Sequence, residues 1–178
     1  MESHVVMDDN TVFVLLGVSG VASTFAGFAG VVATFGRRAE GQWLPEERFR
    51  LINMIVLSLV ACLFSFVPLI EDLFHLDEVT LWTVASVLLS IFCAVYFVYA
   101  VPQRWRLEQS RHGALRPWMA AALIIAFGFA IVLQAFNATG VLVERGAGPY
   151  VAGLSLLLTI AGLQFAFLVL TPLNSTEQ

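Results

Sequence analysis

Long apolar segments separated by short polar stretches form the main pattern of this chain. Five segments are almost entirely apolar, at approximately 11–35, 51–70, 79–101, 117–139 and 149–171. A membrane-spanning helix needs about 20 such residues, and charged residues, proline or glycine bound each segment. The two-residue alternation of membrane β-strands does not repeat along the sequence. The pattern therefore predicts an all-α integral membrane protein, a single domain over residues 1–178 with a bundle of five transmembrane helices.

The positions of the arginines predict how this bundle is oriented. Most of them fall between the first and second segments or between the third and fourth: Arg37, Arg38, Arg48, Arg50, Arg104, Arg106, Arg111 and Arg116. Arg145 alone lies in a connection on the opposite side. Because arginine-rich loops remain in the cytoplasm, we expect the N-terminus outside and the C-terminus inside. The residues expected to contact lipid headgroups are Arg37, Arg38, Arg104 and Arg106.

Composition narrows the class of protein further. Hydrophobic residues make up 59% of the chain, charged residues only 12%, and the mean hydropathy is +0.86. Soluble domains carry about 25% charged residues, so this chain has too few charges to cover a water-exposed surface. The arginines punctuate loops and form no basic face with interleaved aromatic residues, which excludes nucleic acid as a partner. Cys62 and Cys93 lie in apolar segments and are expected to be free thiols.

The first apolar segment includes GVSGVASTFAGFAGVVATFGRR, residues 17–38, and is rich in small residues. At 3.6 residues per turn these collect on one face, with bulky residues such as Phe25 on the other face, beside lipid. Small residues let helix backbones approach closely in lipid. The residues predicted to pack against protein are Ser19, Ala22, Ser23, Ala26, Gly27 and Gly30. Contact within the chain and contact between copies of it both fit this face, and a pore lined by Ser19, Ser23 and Thr34 is a third interpretation.

The connection EDLFHLDEV, residues 71–79, contains the densest group of possible cation ligands. His75 follows Glu71 by four residues and Asp72 by three, spacings that could place these side chains on one helical face. Carboxylates bind calcium or magnesium, and a histidine admits zinc. The alternative is that the acidic residues favour the start of the next helix, where Asp77 is a suitable N-cap. The pattern leaves the identity of any metal open.

Ionisable residues are missing from the middle of the five segments, which counts against a transporter or a proton relay. The motifs GxSxG, HExxH, GxxxxGK[ST] and GxGxxG are absent from the sequence, so we predict neither enzymatic activity nor a cofactor. The leading hypothesis is a non-enzymatic membrane protein that acts as a helix-packing or interaction module, alone, as a homo-oligomer or with another membrane protein. The alternatives are an oligomeric channel for ions or small solutes and a metal- or ligand-binding protein that uses residues 71–78.

One further pattern lies in the first part of the chain. The stretch FAGFAGVVATFGRR is followed by a second apolar segment that ends in LFSFVPLI and a third that opens with LW. Over residues 1–100 the chain resembles a group of small bacterial multi-span membrane proteins that have no assigned activity. The resemblance implies a location in the bacterial inner membrane and supplies no catalytic residues.

Overall fold

The computed structural model describes residues 7–35, 45–109 and 117–170. In these ranges nearly every residue belongs to one of five helices: α1 (Asp9–Phe35), α2 (Pro45–Leu73), α3 (Glu78–Gln109), α4 (Pro117–Thr139) and α5 (Ala147–Leu170). All five are long and apolar enough to cross a membrane, as expected of a multi-pass membrane protein. The prediction of five helices is confirmed, and the described ranges contain no strand.

Local sequence signals account for several helix boundaries. Helices α2 and α4 begin at Pro45 and Pro117, because the first helical position needs no N–H donor and suits the restricted φ of proline. Before α3, the Asp77 carboxylate accepts a hydrogen bond from the Thr80 N–H at 3.0 Å, which confirms the predicted N-cap. Hydrogen bonds from the Thr80 side chain and N–H lower the pKa of Asp77 below its ordinary value.

Helices α2 and α3 extend beyond their apolar segments at the same end of the bundle. Helix α2 begins at Pro45 rather than near residue 51, and α3 continues through Pro102 as far as Gln109. An interior proline removes one backbone hydrogen bond, yet α3 remains helical on both sides of it. Four arginines therefore project from helices and not from loops: Arg48, Arg50, Arg104 and Arg106.

The helices pack as two hairpins that share α5. Helix α1 packs mainly against α2, and α3 packs mainly against α4, while α5 contacts all four. We call the end of the bundle at which α2 and α4 begin the basic end, because the four helical arginines of α2 and α3 lie there. The opposite end, which carries the acidic connection 71–78, is the acidic end.

A continuous apolar core fills the centre of the bundle. Leucines from four helices are among its largest fully buried side chains: Leu15, Leu57, Leu89, Leu154 and Leu157. Phe127 and Ala130 bring α4 into the same core. Lipid tails are as apolar as leucine, so burial by itself does not drive helices together in a membrane. The interlocking side chains instead supply the dispersion contacts that hold the bundle.

The face of α1 that packs against the other helices carries both small and bulky side chains. Leu15, Ala22 and Ala29 are fully buried, and Phe25 packs partly buried against the core. The ring of Phe25 lies 3.5 Å from the position that a Cβ on Gly162 of α5 would occupy. The expectation that Phe25 faces lipid is therefore wrong, because the absence of a side chain at Gly162 makes room for the phenylalanine ring.

An interior proline in α2 leaves a carbonyl group that needs a partner. Pro68 is fully buried and lacks the N–H that would donate to the Phe64 carbonyl four residues earlier. The hydroxyl of Tyr150, in the first turn of α5, donates to this carbonyl at 2.7 Å. Tyr150 is also fully buried, and its ring centroid lies 5.8 Å from that of Trp82. A side chain of α5 thus completes the backbone hydrogen bonding of α2.

The amide of Asn137 ties the turn between α4 and α5 to the bundle. Its Nδ2 donates to Ser86 Oγ of α3 at 2.8 Å and to the Gly146 carbonyl at 3.1 Å. Its Oδ1 accepts a hydrogen bond from the Gly146 N–H at 3.0 Å. Asn137 is fully buried, so one side chain satisfies three polar groups from two other parts of the chain.

Arg145, which lies apart from the other arginines in the sequence, caps the C-terminal end of α4. Gly140 adopts a φ of 68° just after the helix, a left-handed conformation that commonly ends helices. The Arg145 side chain folds back and donates to the carbonyls of Ala138 and Thr139 at 3.1 and 2.9 Å. A cation is favoured there because the final carbonyl groups of a helix carry partial negative charge.

Candidate functional site

The predicted packing residues of α1 divide into two groups. The buried or half-buried members are Ser19, Ala22 and Ala26, and the exposed members are Ser23, Gly27 and Gly30. A Cβ added to Gly20, Gly27 or Gly30 would meet nothing within 4 Å. Residues Gly20, Thr24, Gly27 and Val31 follow one line along this exposed side, and we call them the open face of α1. No other described helix covers this face.

The three hydroxyl groups predicted to line a pore have partners within the chain. Ser19 Oγ and Ser23 Oγ lie 3.3 and 3.4 Å from Cys62 Sγ of α2. The Thr34 hydroxyl donates to the Gly30 carbonyl of its own helix at 2.8 Å. These hydroxyls therefore help to pack α1 against α2 and to satisfy the backbone of α1.

The predicted cation ligands at the acidic end occupy different environments. Glu71 is buried, Asp72 is half-buried and His75 is exposed. The φ of His75 is 56°, and its N–H donates to the Asp72 carbonyl at 2.9 Å, so His75 belongs to the turn that ends α2. Across residues 7–35, 45–109 and 117–170, no group of three or more His, Cys, Asp or Glu side chains is placed to hold a metal ion.

The arginines assigned to lipid headgroups also differ in position. Arg37 and Arg38 lie outside the described residues. Arg106 is exposed at the basic end, whereas Arg104 is only 4% exposed and faces the interior of the bundle. Arg50 is buried too, with its guanidinium 5.6 Å from the centroid of the Phe167 ring. Two of the arginines that set the charge of this end therefore lie inside the protein.

A narrow cavity of about 20 Å³ lies between α2, α3, α4 and α5 near the basic end. Most of its wall is apolar, and aromatic rings from three helices contribute: Phe49, Tyr96 and Phe127. Its polar lining consists of Asn53, Tyr96, Arg104 and Gln164, each less than 8% exposed. The Tyr96 hydroxyl donates to Asn53 Oδ1, so part of this lining is already paired.

Two glutamine side chains of α5 and α4 lie inside the bundle. Gln164 of α5 is 6% exposed and lines the cavity. The Nε2 of Gln134 in α4 donates to the Pro149 carbonyl at 2.9 Å, whereas its buried Oε1 accepts no hydrogen bond from the described residues. A Cβ on Gly153 would collide with the Gln134 amide, so the absence of a side chain at this position makes room for that bond.

A wider groove adjoins the cavity between the start of α2 and the end of α3. It has a volume of about 420 Å³ and shares Phe49 and Asn53 with the cavity. Arg48 and Arg106, both exposed, stand on its two sides. No acidic side chain belongs to the described lining of either space. Arginine and amide side chains therefore line both spaces at the basic end.

The residues predicted to be functional do not include Asn53 or Gln164, and the sequence pattern assigned the arginines of α2 and α3 to orientation and to lipid headgroups. A weak signal was present, because all of these polar residues lie within a few turns of the same end of their helices. Comparisons with protein-family models, curated proteins and solved structures found no match to this chain.

Proposed function

We propose that this chain is a non-enzymatic protein of the bacterial inner membrane that acts as an interaction module. It associates with a second copy of itself through the open face of α1. The observation that carries this proposal is a helix face with small residues at its centre and no other described helix against it. A Cβ on Gly20 or Gly27 would meet nothing within 4 Å. The backbone of α1 is therefore accessible to another helix from this side.

Helix α1 is the least enclosed of the five helices. Only 22% of the most apolar 18-residue stretch of α1 is buried within the protein, the smallest share among the five helices. Small residues favour helix association in lipid because they let two backbones come close enough for extensive dispersion contacts. The Thr24 hydroxyl donates to the Gly20 carbonyl at 2.9 Å, so the open face also carries no polar group in need of a partner.

A second copy of the chain fits this face better than an unrelated partner. A two-fold axis parallel to α1 brings the same residues of two copies together, so a single face serves both partners. Gly20 and Gly27 are two turns apart, roughly 10 Å along the helix axis, which gives two points of close approach. Thr24 lies between these two points, and Val31 lies about one turn beyond Gly27.

The orientation proposed for this module has the basic end in the cytoplasm. Arg48 and Arg106 are exposed at that end, and basic residues next to a span are retained on the cytoplasmic side. We expect a tag on the N-terminus to be digested by protease added outside intact spheroplasts. A tag on the C-terminus should be digested only after the membrane is permeabilised. Digestion of both tags under the same condition would contradict this orientation.

The substitution Gly27→Leu tests self-association. A leucine side chain at the centre of the open face would hold two backbones apart, so we expect the dimer to weaken by about tenfold or more. The measurement is energy transfer between donor- and acceptor-labelled copies in liposomes, followed as the protein is diluted into lipid. Gly27→Ala should have an intermediate effect because its side chain is smaller.

The matched control is Gly128→Leu in α4. Gly128 is also a helical glycine whose added Cβ would meet nothing within 4 Å, but it lies away from α1. This variant should show the same energy transfer as the unmodified protein. Equal energy transfer for Gly27→Leu and Gly128→Leu, both well folded by circular dichroism, would disprove association through the open face.

A further inference from the structure

We propose that the groove between the start of α2 and the end of α3 binds the phosphate headgroup of one anionic phospholipid, such as phosphatidylglycerol. The acyl chains of this lipid stay in the bilayer, against the exposed apolar sides of α2 and α3. Arg48 and Arg106 hold the phosphate from the two walls of the groove. No residue of α1 belongs to its described lining, so the site is separate from the open face of α1.

The charge of the groove is the first observation behind this proposal. Arg48 and Arg106 are both exposed, and neither forms an ion pair with another residue of the described ranges. The groove between them has a volume of about 420 Å³, and its described lining contains no carboxylate. Guanidinium groups form paired hydrogen bonds to phosphate oxygens. An anionic phosphate is therefore the headgroup that complements these two walls.

The depth of the two arginines is the second observation. The apolar spans of the two helices are Glu47–Leu73 in α2 and Glu78–Arg104 in α3. Arg48 is thus the second residue of its span, and Arg106 lies two residues beyond the end of the other. Lipid phosphates lie just outside the hydrocarbon core of a bilayer. Both guanidinium groups are consequently at the level of the headgroups, where basic pockets between helices bind anionic lipids.

The groove passes from charge to hydrocarbon along both walls. Ile52 lies one turn deeper than Arg48, and Tyr99 lies two turns deeper than Arg106. The side chains of Ile52 and Tyr99 are 41% and 54% exposed. Exposed apolar residues continue on the same sides toward the centre of the bundle: Leu59 and Leu63 on α2, Val95 and Leu88 on α3. A phospholipid whose phosphate occupies the groove would lay its acyl chains along these residues.

The place of the groove in the fold gives this lipid a structural consequence. Helix α2 packs mainly against α1, and α3 packs mainly against α4, so the groove lies where the two hairpins meet. A phosphate held by Arg48 from one hairpin and by Arg106 from the other would join them. A ligand that binds only the folded state also stabilises it. We therefore expect phosphatidylglycerol to raise the thermal midpoint of the protein in neutral detergent.

Native mass spectrometry of the full chain in neutral detergent tests the site. The probes are dioleoyl phosphatidylglycerol and dioleoyl phosphatidylcholine, which have the same acyl chains but differ in net charge. We expect one tightly bound phosphatidylglycerol per chain, and about fivefold weaker binding to Arg48→Gln and to Arg106→Gln. Both arginines are exposed, so these variants should fold. Arg145→Gln makes the same change of charge at the acidic end and should bind as the unmodified protein does.

Arg106→Lys distinguishes a fitted site from general attraction to a basic surface. Lysine keeps the charge but cannot form the paired hydrogen bonds of a guanidinium group, so binding should weaken by about threefold. Glycerol phosphate, which has the headgroup without acyl chains, should bind far more weakly than phosphatidylglycerol. The proposal would be overturned by equal affinity for the two phospholipids, by equally tight binding of glycerol phosphate, or by unchanged binding in Arg106→Gln or Arg106→Lys.

Discussion

Replacement of Tyr150 by phenylalanine is expected to lower the free energy of unfolding by about 2 kcal/mol. The Tyr150 hydroxyl donates to the Phe64 carbonyl, and Pro68 cannot supply the N–H that would otherwise bond there. In Tyr150→Phe this partly buried carbonyl group loses its donor while the aromatic packing against Trp82 is kept. Unfolding of the purified protein by increasing fractions of sodium dodecyl sulfate, followed by circular dichroism, measures the change.

A double-mutant cycle identifies the carbonyl as the cause. Pro68→Ala restores an N–H that can bond to the Phe64 carbonyl, so it should recover stability in the Tyr150→Phe background more than in the unmodified protein. Tyr99→Phe is the matched control, because Tyr99 is 54% exposed and should tolerate loss of its hydroxyl. If Pro68→Ala has the same effect in both backgrounds, the proline and the tyrosine are not coupled.

Asn137→Leu is the second substitution with a large expected effect, a loss of about 3 kcal/mol in the free energy of unfolding. Leucine has a similar volume, but it leaves the Ser86 hydroxyl and both backbone groups of Gly146 without the bonds that Asn137 makes. The turn between α4 and α5 should loosen in consequence. The same detergent titration measures stability, and hydrogen exchange at residues 140–146 should become faster.

Ser86→Ala is the comparison for this variant. It removes only one of the three hydrogen bonds of Asn137 and should cost about 1 kcal/mol. Hydrogen exchange at residues 140–146 should be the same in Ser86→Ala as in the unmodified protein, because Asn137 still bonds to Gly146. A stability of Asn137→Leu no lower than that of Ser86→Ala would show that the bonds to Gly146 contribute nothing.

Helix number and several helix boundaries could be predicted because they depend on neighbouring residues. Pro45 and Pro117 begin helices and Asp77 caps one, each for a reason contained within one turn of chain. The helical extension of α3 beyond Pro102 was harder to predict, because a proline in the sequence is compatible with an end, a kink or continuation.

The inward face of α1 could not be predicted for a different reason. A soluble helix reveals its buried side by an apolar stripe, but α1 is apolar on every side, since lipid and protein both accept apolar residues. Small residues indicate that close packing occurs and do not say which partner provides it. Phe25 is inward because Gly162 of α5 makes room for it, and that match depends on two helices far apart in sequence.

The amino-acid sequence by itself determined that this chain forms five apolar helices, with arginines concentrated at one end of the bundle. Both properties follow from the length and charge of local segments. Only the tertiary structure decided that the Tyr150 hydroxyl donates to the backbone carbonyl that Pro68 leaves without an N–H donor. It also decided that Asn53, Arg104 and Gln164 border one cavity. These contacts depend on how each helix is rotated about its own axis. In a lipid environment that rotation is set by side-chain packing between helices, because hydrophobic periodicity does not distinguish lipid from protein.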